Sequence, residues 1–251
     1  MNERQTKILE ILNKEKRLPV AQLAALLQVS EVTTRKDLTL LESRGFLRRE
    51  HGFASLEESD DVSKRISVNY ETKRRIARLA MESVSDGETV MIESGSTCAL
   101  LAEALVTEKR DITIITNSVF IASFIRDKRG AHVILLGGEF QNESQVMVGP
   151  MVRACVDSFY VDKLFVGTDG FNERGAMSGD LMRAEAVRAM ARNVKDINIL
   201  TESTKFIKTG IVPLFSYEEI SSIYTDDKAD KDIILLLEEK GIKVCVADSR
   251  G

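Results

Sequence analysis

Two sets of residues have the types and spacing for chemistry. The first is a series of short polar segments, each following a short apolar run. They are Glu93-Ser94-Gly95-Ser96-Thr97, Thr116-Asn117-Ser118, Gly137-Gly138-Glu139, Gly167-Thr168-Asp169-Gly170, Thr201-Glu202-Ser203-Thr204-Lys205 and Thr225-Asp226-Asp227. Glycine and small hydroxyl residues leave backbone N–H groups open to an anion, most of all where a loop enters a helix. Carboxylates and an asparagine suit sugar hydroxyls, and together these segments describe a site for a phosphate attached to a polyol. One such loop is an ordinary turn of any α/β protein. Their recurrence points to a polar anion site.

The second set lies in Val29–Gly45. Ser30 is a good helix N-cap and Gly45 a good stop. Thr34, Leu38 and Leu41 share one face at helical spacing. That leaves Ser30, Thr33, Arg35 and Lys36 at the exposed front of the helix. Hydroxyls can donate to phosphates, and Arg or Lys can contact phosphates or guanine edges. Downstream, Phe46–Ala54 reads as a short hairpin carrying Arg48, Arg49 and His51, placed to meet a DNA backbone or minor groove. A cationic helix face alone is usually just solvated. Its coincidence with an earlier helix, a tight link and a basic hairpin favours double-stranded DNA as partner.

The elements that must position these residues follow from pattern. Glu3–Asn13 carries Ile8, Leu9, Ile11 and Leu12 as a stripe. Pro19 opens a second helix with Leu23, Leu26 and Leu27 facing inward, and Gln28-Val29 is a tight link to the third. Three helices and a basic hairpin make a winged helix-turn-helix over residues 1–54. Residues 55–72 read as a linker, acidic over Leu56–Asp61. From Lys73 a helix runs to Val84. Strands are then expected at Val90–Ile92, Ile112–Ile115, Val133–Leu136, Leu164–Val166, Ile197–Leu200, Ile223–Tyr224 and Val244–Val246. Helices at Ala99–Leu105, Val119–Arg126, Leu181–Asn193 and Lys228–Lys240 alternate with them. That alternation predicts a mainly parallel α/β domain over residues 73–251, its sheet covered on both faces.

Composition narrows the choices. The 251 residues are 43% hydrophobic and 29% charged, enough for two unequal domains. Residues 1–52 hold ten Lys/Arg against seven Asp/Glu, or +3, and the remainder 25 against 32, or −7. A basic end on an acidic protein fits an anionic partner for that end. No apolar run has membrane-spanning length, and the N-terminus lacks the apolar core of a secretory signal. The three cysteines are far apart and read as reduced thiols of a cytoplasmic protein. With two scattered histidines they make no plausible metal site, and no cofactor is expected. The phosphate-binding fingerprints GxxxxGK[ST] and GxGxxG are missing, as is the GxSxG nucleophile turn.

The motifs resemble the DeoR family of bacterial transcriptional regulators. The family's helix-turn-helix pattern is met by Val29-Ser30, Thr33-Thr34-Arg35-Lys36-Asp37-Leu38, Leu41-Glu42, Gly45 and Arg48-Arg49-Glu50-His51-Gly52. Thr34 stands in place of the usual aliphatic residue, and Phe53 in place of a second glycine. Later family motifs are similar to Ile92–Thr97, Thr116–Ser118, Leu136–Glu139, Val148–Pro150, Phe165–Gly170, Glu185 and Ser203–Phe206. Glu93 and Glu202 depart from the family's usual Asp.

The resemblance implies a sensor domain with a fold like ribose-5-phosphate isomerase and the CoA transferases, and a sugar phosphate as effector. It implies that Ser94, Gly95, Ser96 and Thr97 cradle the phosphate and that Lys205 neutralises it or holds a sugar oxygen. Asp169, Asn117 and Glu185 would read hydroxyls. Glu93, Gly137, Gly138 and Gly170 complete the expected site. The expected protein is a repressor of a sugar-uptake or catabolism operon, working as a homo-oligomer, dimer or tetramer. Two other readings remain at this point. Glu93, Asp169, Glu185 and Lys205 could form an isomerase-like acid/base set. The second domain could also be an interaction module with no small-molecule ligand.

Overall fold

The computed structural model describes residues 1–56, 62–128 and 131–248. The chain divides into two units, residues 1–71 and 72–251.

In the first unit, α1 (Glu3–Glu15), β1 (Arg17–Pro19), α2 (Val20–Leu27), α3 (Glu31–Ser43), β2 (Arg48–Glu50), β3 (Phe53–Ser55) and α4 (Val62–Ser67) follow in order. The helices bury Ile8, Leu9, Leu12, Leu23, Leu38 and Leu41 completely. Leu26 is a correction to the sequence reading: it is half exposed, and Ala24 takes the inward position. An eight-residue helix packed along a narrow seam has room for one leucine row, not three adjacent ones. The ends of α3 form as the sequence predicts. The Ser30 hydroxyl accepts the Thr33 N–H, and Gly45, at φ 76°, donates to the Glu42 carbonyl while Phe46 donates to Leu41. That pair of bonds across a left-handed glycine satisfies the last carbonyls of the helix.

Asp37, buried on α3, receives the Arg4 Nε–H and the Gln5 side-chain amide. Gln5 is itself held in a reciprocal cap with Asn2. Burial pushes the Asp37 carboxyl up, but the bonds from Arg4 and Gln5 and the Arg4 charge outweigh it and hold it below its ordinary 3.8. A carboxyl lowered in the folded state stabilises fully above its unfolded value, and that contribution is lost as pH falls through the folded value. Amide protection factors of α1 and α3 should therefore be unchanged from neutral pH down to the ordinary carboxylate range and fall below it. Asp37→Asn should remove that acid limb; an identical limb in the variant would place its origin elsewhere.

The linker expected over 55–72 is corrected in part. Residues 57–61, which hold most of its acidic run, lie outside the described residues. From Val62 the chain is folded with the first unit. Val62 and Ile66 of α4 are fully buried, Asn13 bonds Asn69 at 3.0 Å, and the rings of Phe46 and Tyr70 lie 6.5 Å apart. Next, α5 (Tyr70–Met81) begins earlier than the expected Lys73 and carries the chain into the second unit.

The second unit contains β4 (Thr89–Ile92), α6 (Ser96–Glu108), β5 (Ile112–Thr116), α7 (Val119–Ile125), β6 (Ala131–Leu135), β7 (Glu139–Gln141), β8 (Val146–Val148) and α8 (Pro150–Val156). It continues through β9 (Val161–Val166), β10 (Gly170–Asn172), β11 (Gly175–Ser178), α9 (Leu181–Ala191), β12 (Val194–Leu200), β13 (Val212–Ser216), β14 (Ser222–Asp226), α10 (Lys231–Glu239) and β15 (Lys243–Ala247). All seven strands read from the sequence join one parallel sheet in the order β15-β14-β12-β9-β4-β5-β6. The carboxyl halves of its middle strands are fully buried, with Val90, Met91, Ile92, Leu164, Phe165 and Val166 at 0% exposure.

The sequence reading lacks a second, antiparallel sheet, β10-β11-β13, and the hairpin β7-β8. These strands are three to five residues long, and β11 is buried on both faces, so no alternation marks it. Gly175 has φ 142°, and a Cβ there would stand 2.1 Å from the Phe215 carbonyl. Only glycine allows that crossing.

Candidate nucleic-acid interface and effector site

The front of α3 presents its polar residues outward. The Ser30 and Thr33 hydroxyls lie 2.9 Å apart, and Arg35 pairs with Glu31 one turn back at 3.2 Å. Lys36 is exposed. Thr34 is fully buried, and its hydroxyl bonds the Ser30 carbonyl at 3.2 Å. The hydroxyl introduced in place of an aliphatic group is therefore satisfied within the helix.

The hairpin forms the wing, and β1 joins it as a third strand in the order β1-β3-β2. His51 and Gly52, at φ 47° and 85°, make the two-residue turn between Glu50 and Phe53. Both central residues in the left-handed region match the twist of a tight hairpin. Phe53 lies opposite Pro19 and Glu50, with the Arg17 guanidinium 4.4 Å from its ring centre. It fastens the wing to β1.

The three wing candidates are placed differently. Arg48 is exposed and pairs with Glu50 at 2.7 Å, and His51 stands exposed at the turn. Arg49 binds Glu42 at the end of α3 through Nε and Nη2, at 2.7 and 2.6 Å, and its backbone N–H donates to the same carboxylate. The Glu42 carboxyl is raised by burial but held low on balance by the Arg49 bonds and charge. Arg49 thus fixes the wing against α3.

In the second unit the polar loops follow β4, β5, β6, β9, β12 and β14, so all open at the carboxyl end of one parallel sheet. Strand order reverses between β4 and β9, since the chain runs outward from β4 to β6 and then returns to β9 beside β4. Such a switch point leaves a crevice where open α/β sheets take ligands. Glu93 spans it. One carboxylate oxygen accepts the Ser94 hydroxyl at 2.8 Å; the other accepts the N–H groups of Gly95 at 2.9 Å and Gly167 at 3.1 Å. The glutamate found in place of the family's aspartate has the reach to join both strand ends.

The helix that opens at this crevice is α6. Its N-cap is Gly95, which supplies no side-chain acceptor. By contrast α7, α9 and α10 are capped by Ser118, Asp180 and Asp230. The N–H groups of Ser96, Thr97 and Cys98 form the first turn, where a helix has no acceptor of its own. Ser94, Ser96 and Thr97 are buried around that turn.

On the neighbouring strands, Asn117 is 1% exposed. Its amide donates to the Met147 carbonyl, and its Oδ1 is buried with no hydrogen-bond partner among the described residues. Asp169 accepts the Gly179 N–H at 2.8 Å. Lys205 ends a short 3-10 turn, Ser203–Lys205, whose last N–H bonds the Glu202 carbonyl. Two glycines of the set serve close packing. A Cβ on Gly138 would meet the Val148 carbonyl at 2.6 Å, and one on Gly170 the Lys208 carbonyl at 2.3 Å. Gly137 has more room, its nearest neighbour being the Cys155 sulfur at 3.8 Å. Glu185 is exposed on α9, and no described hydrogen bond or ion pair joins it to the strand-end loops.

Two supporting residues lie outside the set of site candidates read from the sequence. Lys73 of α5 pairs with Glu202 at 3.3 Å, both side chains under 10% exposed. Asp226, buried at the end of β14, accepts the Ser203 N–H at 2.7 Å and its hydroxyl at 2.8 Å. Together they hold the turn that carries Lys205. Asp226 was legible as a polar strand end. Lys73, inside the run Lys73-Arg74-Arg75, had no distinguishing signal.

Fold and site together define a two-unit regulator type, a winged helix-turn-helix followed by an α/β unit with polar loops at its strand-order switch point. Residues 4–60 match the DeoR-like helix-turn-helix domain and residues 68–227 the DeoR C-terminal sensor domain. The chain belongs to the DeoR family. It is 30% identical over 250 residues to the HTH-type transcriptional repressor GlcR of Bacillus subtilis (strain 168), covering 98% of this chain and 96% of that one. The glycerol-3-phosphate regulon repressor of Escherichia coli (strain K12) is 25% identical over 246 residues, or 96% and 97% of the two chains. Among solved structures, a D-ribose-5-phosphate isomerase in complex with phospho-erythronic acid aligns over 55% of this chain and 54% of its own. The TM-score is 0.41 and the identity 15%.

Proposed function

We propose that this chain is a cytoplasmic repressor of a sugar-uptake or catabolism operon, released from or recruited to double-stranded operator DNA by a phosphorylated sugar. The observation that carries the reading is the uncapped start of α6 at the β4/β9 switch point. There, helix N–H groups and buried hydroxyls converge beside the strand ends. In this reading the first turn of α6, with Ser94, Gly95, Ser96 and Thr97, takes the phosphate. Lys205 neutralises it. Asn117 offers its unused Oδ1 to a sugar hydroxyl, and Asp169 reads another; Glu185, exposed on α9, is left outside this set. Glu93 acts as the brace of the cradle, since its oxygens already hold protein donors. On α3, Ser30, Thr33, Arg35 and Lys36 face the major groove, while Arg48 and His51 of the wing approach the backbone and Arg49 sets the wing's angle. The regulator works as a homo-oligomer, dimer or tetramer, because paired helix-turn-helix units read paired half-sites. Effector and DNA affinity are then reciprocally coupled.

The test is fluorescence anisotropy on labelled DNA from upstream of the protein's own operon, at one fixed salt concentration. Sugar phosphates are titrated in beside their unphosphorylated sugars. One phosphate ester alone should shift binding, and the sign separates induction from co-repression. Lys205→Ala should bind DNA normally and blunt that response; an unchanged response would place the phosphate elsewhere. A coupled isomerase assay over the same esters should show no turnover, in keeping with a Glu93 already occupied by protein donors.

A further inference from the structure

Thr34, Asp37, Leu38 and Leu41 are the buried residues of α3, and they share one side of it. A helix turns about 100° per residue, so Val32, its second residue, lies within about 20° of the direction opposite that side. Val32 therefore points straight out from the core of its own unit, and it is 65% exposed. Arg35 and Lys36 follow one turn later, to either side of it, and both are exposed. Leu40, also exposed, stands two turns further from the front of the helix. A lone exposed valine on an ordinary surface needs no explanation. This one adds nothing to the core, and a β-branched side chain is a weaker helix former than alanine. Folding gives no reason for a valine here.

Its place on the helix gives one. The N-terminal residues of a recognition helix meet base edges in the major groove. Around Val32, the side chains of Ser30, Thr33, Arg35 and Lys36 carry hydroxyls and cations, which suit phosphates and guanine edges. An isopropyl group neither donates nor accepts a hydrogen bond. Set against guanine, cytosine or adenine, it would cover a polar edge and leave that edge without a partner. Thymine is the one base whose major-groove edge carries a methyl group. Closing Val32 on that methyl takes hydrocarbon on both sides out of water.

We infer that Val32 is a specificity-determining residue that reads a thymine methyl group in the major groove. The inference rests on the DNA-facing reading of α3 given above and names one base of the site. The test starts from the duplex that the full-length wild type selects out of a random-sequence pool. Its thymines are replaced one at a time by deoxyuridine, which pairs alike and lacks only the methyl group. Affinities are measured by anisotropy at one fixed salt concentration. The wild type should lose about 4-fold at one thymine, the worth of a methyl group taken out of water. Val32→Ala should bind the parent duplex at least about 4-fold more weakly. It should no longer distinguish thymine from deoxyuridine at that position, and its melting temperature should not fall. A wild type indifferent to every replacement, or a Val32→Ala variant that still loses affinity at the same thymine, would overturn the assignment and leave the DNA-facing reading standing. A wild type that enriches no duplex from the pool would overturn that reading itself.

Discussion

Replacing Lys73 with methionine should destabilise the sensor unit by about 3–5 kcal/mol, because it removes one partner of a buried ion pair. The pair is nearly dry, with side-chain exposures of 6% and 9% at 3.3 Å. Breaking a pair so little exposed to water costs more than breaking a surface pair. For a unit of this size the melting temperature should fall by roughly 6–20 °C. Glu202→Gln should be milder, since an amide still accepts a hydrogen bond. The double variant Lys73→Met/Glu202→Leu should recover much of the loss, since an apolar replacement of both partners is often near neutral. The functional readout should not recover with it. Glu202 opens the turn that carries Lys205, and its ionic anchor to α5 would still be missing. Stability regained with the effector response still blunted is the expected pattern. If both return together, the pair serves stability alone and does not position the turn.

Arg35→Ala should weaken operator binding by about 5- to 150-fold, the range for losing one side-chain contact to a base. Arg35 is 61% exposed and its partner Glu31 50%, so their pair is worth at most about 1 kcal/mol. The guanidinium can leave Glu31 for DNA at little cost. For the same reason the melting temperature should barely move, since the substitution creates no cavity and no buried orphan. Glu31→Ala is the matching control. It removes a negative charge from the helix front and should raise affinity for DNA of any sequence, measured at the same salt. Unchanged operator affinity in Arg35→Ala would take this side chain off the recognition surface.

Particular residues show how far local pattern reaches. Ser30 and Gly45 mark the ends of α3 because capping is decided by the cap's own hydroxyl and the glycine's left-handed backbone. The seven strands of the parallel sheet are short apolar runs between polar strand ends, a pattern that burial on both faces imposes locally. Other features depend on partners distant in the chain. Arg49 reads as a wing cation, yet it is held by Glu42 seven residues away. Glu93 reads as a ligand contact, yet it spans to Gly167 on another strand. Residues 62–71 read as linker because their polar composition is ordinary for one, while their burial comes from tertiary packing. The exposed leucines of α10 look like core in sequence, since apolar type alone does not say which residues of a helix its own sheet covers.

The sequence by itself determined the order of the main-sheet elements, the sheet's seven strands, the capped ends of α3 and the chemical character of the strand-end loops. Each follows from side-chain type and spacing along a few turns or strands of chain. Only the tertiary structure decided that β4 and β9 lie side by side, that Glu93 braces their crevice, and that Lys73 and Asp226 hold the turn bearing Lys205. Those pairings join residues 23 to 129 positions apart. Local propensity carries no information about them, and the packing of the whole sheet fixes which strand ends become neighbours.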